Sequence, residues 1–297
     1  QPVSISLGDL DGDNDLDMAV ANDGSDDTSV LLNTGDGAFA TQTRYATGDR
    51  PFGVSLGDLD GDGDLDMVVA NRSSDDTSVL LNNGDGTFSP QTRYDAGDFP
   101  WGVSLGDLDG DGDIDIAVTN FWDNGTSVLL NSGLGSFSAP ASYGAGIGPT
   151  SVSLGDLDDD GDLDMAVANR EDVNASLLLT NGDGTFSAAA SYGAGGGPRS
   201  VSLDDLDGDG DLDIAVANRN SGDTGVLLGN GDGTFSPETR FNVGNAPRSV
   251  SLGDLDDDGD LDMVVANRDS DDTSVLLNQS VTYWTGTTFT FGAPQNW

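Results

Sequence analysis

Three residue types are missing from this 297-residue chain: cysteine, histidine and lysine. Without cysteine there are no disulfides, so stability has to come from a packed core or from bound ions. Without cysteine or histidine, zinc and copper lose the sulfur and nitrogen donors they favour. Any catalysis would rest on aspartate, glutamate, tyrosine or arginine, and glutamate occurs only as Glu171 and Glu238. No apolar run reaches the length of a membrane-spanning helix. No leader-like segment opens the chain at Gln1, so the sequence reads as a mature or excised soluble piece. Positive charge is scarce as well. Ten arginines stand against 53 acidic residues, a net charge of −43 that makes nucleic acid and anionic membranes poor partners.

The acids are organised rather than scattered. Asp58 to Asp66 reads D-L-D-G-D-G-D-L-D, five carboxylates in nine residues. Such a loop is tolerable only in water or around a cation. Asp58, Asp60 and Asp62 can point inward from alternate positions, Gly63 permits a sharp turn, the carbonyl of Asp64 reaches the same centre, and Asp66 closes the shell. That is the hard, all-oxygen environment calcium prefers, whereas magnesium demands a tighter octahedron. An EF-hand begins similarly but needs a glutamate at its twelfth position, and here that position is Val69, inside a β-forming run. For one loop, a solvated acidic turn remains an alternative. Recurrence argues against it, because the same loop returns every 49 residues and solvation alone requires no constant register.

The candidate ligands are therefore Asp9, Asp11, Asp13, Asp15 and Asp17 in the first unit, and Asp58, Asp60, Asp62, Asp64 and Asp66 in the second. The third and fourth units offer Asp107, Asp109, Asp111, Asp113 and Asp115, then Asp156, Asp158, Asp160, Asp162 and Asp164. The last two offer Asp205, Asp207, Asp209, Asp211 and Asp213, then Asp254, Asp256, Asp258, Asp260 and Asp262. About six calcium ions, one per unit, are expected. Loops of micromolar affinity stay filled where calcium is millimolar, which points to an extracellular or cell-surface setting.

Each unit also predicts the same strands. In the second, Val54–Leu56 alternates and enters the acidic loop, and Met67–Ala70 is a continuous apolar run suited to a strand buried on both faces. A third strand is expected over Ser78–Leu81, a glycine-rich hairpin at 82–86, and a polar fourth strand over Thr87–Tyr94. Pro90, with Pro140 and Pro237 in later units, places that fourth strand on the sheet edge. The reading is all-β: a six-bladed β-propeller with four antiparallel strands and one calcium loop per blade. It forms a single domain over 1–297, with blades near 1–49, 50–98, 99–147, 148–196, 197–245 and 246–297. The stretch Thr287–Phe291 is expected to supply the fourth strand of the last blade, although 279–297 departs from the repeat.

The unit V-S-L-G-D-L-D-G-D-G-D-L-D-M-V-V-A-N, followed by S-V-L-L-N-N-G-D-G-T-F, resembles the FG-GAP/VCBS repeats of integrin-like β-propellers. The resemblance covers all six units. It implies calcium held between the first two strands of each blade by the side chains of the first, third, fifth and ninth loop positions and by the carbonyl of the seventh. Departures are tolerable: Asn14 replaces a loop glycine and tolerates the left-handed region, while Asp159 and Asp257 replace the fourth-position glycine without removing a ligand. Such propellers serve as adhesion heads, lectins and enzyme scaffolds, so the family does not name the ligand.

Loops after the first and third strands share one face, loops after the second and fourth the other. The acidic face repeats itself; the opposite face varies. There the third unit carries Phe99, Trp101, Phe121 and Trp122, which suit stacking on a sugar ring or anchoring a protein, or else packing on one another as a plug. Arg72, Arg170, Arg219 and Arg268 follow the asparagine that ends each second strand; pairing with loop acids such as Asp75 or Asp271 is expected over a basic ring. Three functions follow: a calcium-stabilised, non-catalytic binding or adhesion module for a glycan or protein, a polysaccharide lyase or glycosidase on a propeller scaffold, and a structural spacer or assembly subunit. No unique acid pair stands out for glycosidase chemistry, and the first reading is preferred.

Overall fold

The computed structural model describes residues 1–35, 37–279, 281–283, 286–288 and 291–296. Every regular element among them is a strand. Six four-stranded antiparallel sheets follow one another in chain order, the all-β, six-bladed propeller fold that the repeat predicts. The strands divide between two compact units. Residues 1–144 with 182–185 carry the first three blades, and residues 145–181 with 186–297 carry the strands of the other three.

The second blade shows how one repeat folds. Its strands are Pro51–Gly57, Asp66–Asn71, Asp76–Leu80 and Thr92–Asp95. Met67–Ala70 is wholly buried because successive blades cover both of its faces. Met67 and Val69 pack with Leu10, Ala19 and Val30 of the first blade, while Val68 and Ala70 pack with Ile116, Val118 and Leu129 of the third. The second unit repeats the device: Ala166 and Ala168 meet Ile214 and Val216, and Ala215 and Ala217 meet Met263 and Val265. Each fully buried aliphatic side chain contributes about 1.5–3 kcal/mol, so the cores between consecutive blades are the main apolar support of each unit.

Fourth strands are outermost, as expected, but shorter than the sequence suggests. In the second blade Phe88 forms an isolated bridge to Asn82, and the strand proper starts only at Thr92. Pro90, Pro140 and Pro237 therefore precede the fourth strands instead of lying within them, in segments that need no ladder donor. Within each unit, edge-strand tyrosines reach the next blade. Tyr45 and Tyr94 meet Phe88 and Phe137 edge to face at 5.3 Å in the first unit, as Tyr192 meets Phe235 in the second. Their hydroxyls cap carbonyls of the following turn, Tyr94 on Gly135 and Tyr192 on Gly233.

The last blade corrects the sequence reading. Its own residues do complete it, but the fourth strand is Gln295–Asn296, paired with Ser274 and Val275. Part of the expected strand, 289–290, lies outside the described residues, and Gly286–Thr288 pairs with Val281–Tyr283 as a separate hairpin. Phe291 bridges Asn278 as Phe88 bridges Asn82, so the extra hairpin is an insertion in the turn, which displaces the edge strand toward the C-terminus.

Candidate functional site

Each acidic loop leaves the first strand and enters the second. In the second blade, Asp58 accepts hydrogen bonds from the amides of Gly61 (2.8 Å) and Gly63 (3.0 Å), and Asp62 accepts one from Asp64 (2.9 Å). Asp66 is buried and spends one oxygen on each side: Oδ2 takes the Leu59 amide at 2.9 Å and Oδ1 the Asn82 amide at 2.7 Å. The ninth position therefore ties the loop to the turn after the third strand. The other blades repeat these bonds, including the sixth, where Asp262 accepts from Leu255 and Asn278. Gly63 has φ 95°, and Asn14, Asp159 and Asp257 adopt left-handed φ of 71°, 59° and 61°, so the departures from glycine keep the loop's path.

The carboxylates converge. Oxygens of Asp9, Asp11 and Asp13, and likewise of Asp58, Asp60 and Asp62, lie within 4.8 Å of one another. So do those of Asp107, Asp109 and Asp115, of Asp156, Asp158 and Asp164, and of Asp205, Asp207 and Asp213. Two ligands about 2.4 Å from a shared ion can be no more than about 4.8 Å apart, so these spacings suit a hard divalent cation. The third position decides the fit. Oδ1 of Asp11, Asp60, Asp109, Asp158 and Asp207 is buried inside its loop and accepts no hydrogen bond from the protein. A buried anionic oxygen without a donor is costly, and a cation coordinated there satisfies it.

Electrostatics agree. Burial and then repulsion from the fifth-position neighbour raise the pKa of Asp60, as they do for Asp109 and Asp158. Burial pushes Asp66, Asp115 and Asp164 up to about 6 and Asp213 to about 7, against the lowering effect of their two amide donors. Without a cation these loops resist their full charge.

The seventh position plays a different part. The Asp64 side chain turns toward the hairpin after the third strand, where a Cβ on Gly84 would sit 2.5 Å from its Oδ2. Asp15, Asp113 and Asp211 approach Gly35, Gly133 and Gly231 in the same way. Acidic loop and hairpin thus share a face, as strand alternation predicts. In the hairpin itself, Asp85 accepts from both the amide and the hydroxyl of Thr87, which accounts for its aspartate without a second metal.

On the opposite face of the first unit the four aromatic candidates do meet. Phe121 is buried at the base, 5.3 Å from Trp101, 6.1 Å from Phe99 and 4.7 Å from Trp122, ring centroid to centroid. Trp122 is 59% exposed. Phe52, passed over in the sequence, stacks 4.6 Å from Trp101. Its signal was positional, since Phe52 follows Pro51 as Trp101 follows Pro100. Arg72 also joins this group, its guanidinium 4.3 Å above Phe52, 4.6 Å from Trp101 and 4.8 Å from Phe99.

The expected pairing of these arginines with Asp75 or Asp271 is not what forms. Asp75 accepts the Phe99 amide, leaving Arg72 to the aromatic rings. Arg170 and Arg268 pair with their own neighbours, Glu171 at 3.6 Å and Asp269 at 3.4 Å. Among the described residues no helix is long and apolar enough to cross a membrane.

An FG-GAP-like repeat model matches the chain five times, over residues 9–69, 58–118, 107–167, 156–216 and 205–265. No curated protein matches it in sequence. Among solved structures, it is similar to an Agrocybe aegerita lectin described as recognising non-reducing terminal N-acetylglucosamine, with 22% identity and a TM-score of 0.66 over 99% of this chain and 79% of that one. It is also similar to the periplasmic gluconolactonase of Pseudomonas aeruginosa, at 16% identity and a TM-score of 0.70 over 94% and 82%. A third is virginiamycin B lyase from Staphylococcus aureus, at 12% identity and a TM-score of 0.64 over 98% and 84%. At these identities the likeness is one of fold.

Proposed function

The chain belongs to the FG-GAP-like repeat family, and on that premise we propose that it is a calcium-stabilised, non-catalytic binding module of the cell exterior that takes a glycan on its aromatic face. Calcium would be held by the first, third, fifth and ninth side chains of each loop and the seventh carbonyl, and its chemistry there is charge neutralisation and cross-linking of loop to strand. No reaction is assigned to it.

One observation carries the binding reading: an exposed indole, Trp122, seated on a buried ring, Phe121, with Phe99 and Trp101 half-buried beside it. A ring presented this way offers a rigid apolar surface at little entropic cost, the kind of platform on which a sugar's C–H face stacks. A plug would bury every ring; here the base is buried and the top is open. Two further points favour binding over catalysis. Glu238 is held by Arg240 and donates nothing, accepting the Gly195 and Asn218 N–H groups, while Glu171 pairs with Arg170. The remaining acids are largely committed to loops and turns.

The test uses oligosaccharides with non-reducing N-acetylglucosamine ends and others with different neutral ends, titrated in calcium while tryptophan fluorescence is followed. The reading expects one of them to quench the wild-type signal saturably, and the Trp122→Ala and Trp101→Ala variants to lose binding while melting stays close to wild type. Turnover of any polysaccharide by the purified chain would overturn the non-catalytic reading, and unchanged binding by both variants would overturn the site.

A further inference from the structure

Half of the chain's ten arginines fall on two repeat positions of the last three blades. Arg170, Arg219 and Arg268 each follow the asparagine that ends a second strand, and Arg199 and Arg248 each follow the proline that opens a first strand. The register brings the two positions together, since Pro198 pairs with Asn218 and Pro247 with Asn267. Backbone bonds fix the loops: the amides of Arg170, Arg219 and Arg268 donate to the carbonyls of Gly148, Gly197 and Ala246. All five arginines belong to the second unit.

Carboxylates reach these guanidinium groups unevenly. Arg170 and Arg268 have Glu171 and Asp269. Among the described residues no carboxylate lies within 4 Å of Arg219 or Arg248, and the Arg219 Nε is buried with no hydrogen-bond acceptor. Arg248 and Arg268 line one cleft of about 300 Å³ with Asn267 and Thr273. Asp271 and Asp272 line it too, but Asp272 is held by Asn267 and Ser270. Partial burial and then the positive charges of Arg268, Arg219 and Arg170 lower the Arg248 pKa, with Asp269 opposing them. Like charges gathered in this way are held together at a cost that a bound anion relieves.

We propose that the arginines of the second unit form an oxyanion site for a carboxylate, sulfate or phosphate group on a compact ligand. Guanidinium forks match such groups in a planar, two-point fashion. The acidic loops do not forbid this. First strands of seven residues span about 23 Å, well beyond the screening length of about 8 Å at physiological salt. A long polyanion would still meet the −43 field of the whole chain, which is why the ligand is compact. The site is independent of the aromatic platform, so either can fail alone.

The experiment titrates the calcium-loaded full chain calorimetrically with sodium sulfate and with sodium glucuronate, ionic strength being held constant with sodium chloride. Phosphate is avoided because it precipitates calcium. The proposal expects saturable binding of one or both, weakened at least tenfold in the Arg219→Gln/Arg248→Gln double variant and unchanged in Arg44→Gln, which removes an exposed pair with Asp27 in the first unit. In chloride alone, Arg248→Gln should melt no lower than wild type, because it removes a crowded like charge and keeps the fold intact. Sulfate stabilises many proteins by exclusion, so only a melting gain that the double variant lacks counts in favour. Tighter binding of glucuronate would assign the site to an acidic sugar and sulfate alone to a free oxyanion. Heats indistinguishable from chloride, or equal binding by the double variant, would overturn the proposal.

Discussion

The two ends of the strands in each blade follow different rules. Where the first strand turns into the second, the blades repeat one another down to single hydrogen bonds, Asp66 on Leu59 and Asn82 in one, Asp262 on Leu255 and Asn278 in another. Where the second strand turns into the third, they part. Beside that turn, the residue after the proline that opens a first strand is Phe52 or Trp101 in the second and third blades, Arg199 or Arg248 in the fifth and sixth, and Val3 or Thr150 in the first and fourth. One backbone position thus carries aromatic surface in two blades of one unit and positive charge in two blades of the other. Repetition marks what folding and the metal need; divergence at a fixed backbone position marks what a ligand reads.

The comparison can be broken first at the ninth loop position. Asp66→Ala leaves two buried amides unsatisfied and should cost about 2–6 kcal/mol, at about 1–3 kcal/mol each, even in chelator. Asp60→Asn removes a repelled charge on an oxygen with no protein donor, so in chelator it should melt no lower than wild type, and it should reduce the gain on adding calcium. Equal losses for both variants in chelator would erase the distinction between a structural and a metal-directed aspartate. On the varied face, Phe121→Ala should cost about 3 kcal/mol by emptying the base of the aromatic group, whereas Trp122→Ala should stay within about 0.5 kcal/mol because its ring is largely exposed. Denaturant melts of the two variants decide this. Gly84→Ala comes next. At φ 79°, with Asp64 where the new methyl would go, it should lose about 1 kcal/mol, while Gly144→Ala, open on all sides, should be neutral.

The smallest effect is a dependence on pH. Asp66, Asp115 and Asp164, near 6, and Asp213, near 7, hold protons more tightly folded than unfolded, where the value is about 3.9. Their contribution is complete below about pH 4 and is lost as pH rises through 6 to 7. Chelated protein should therefore melt a few degrees higher at pH 5 than at pH 8, and saturating calcium should remove or reverse that slope. A chelated melting temperature that rises across the same range would contradict the assignment of burial as the cause.

Much of this was legible in the sequence because the repeat keeps register. Five aspartates at alternate positions, returning every 49 residues, give the loops, the blade count and the face they share. The misreadings fall where a residue's partner comes from another element. Asp75 was expected to meet Arg72, but it caps the amide of Phe99, which belongs to the next blade. Thr287–Phe291 looked like an edge strand because it alternates, yet Thr287 and Thr288 belong to a hairpin inserted into the turn, and Phe291 keeps only the bridging place of Phe88. The crowding of arginines around Arg248 depends on the pairing of Pro247 with Asn267, and spacing along the chain does not reveal that pairing.

The most direct measurement is the calcium stoichiometry of chelator-stripped protein by isothermal titration, with thermal melting followed at each step. The account predicts about six ions per chain and a large rise in melting temperature, since a loop held at 100 times its dissociation constant contributes about 2.7 kcal/mol. Few or no ions bound, with melting unchanged, would contradict it and leave the six loops as acidic turns.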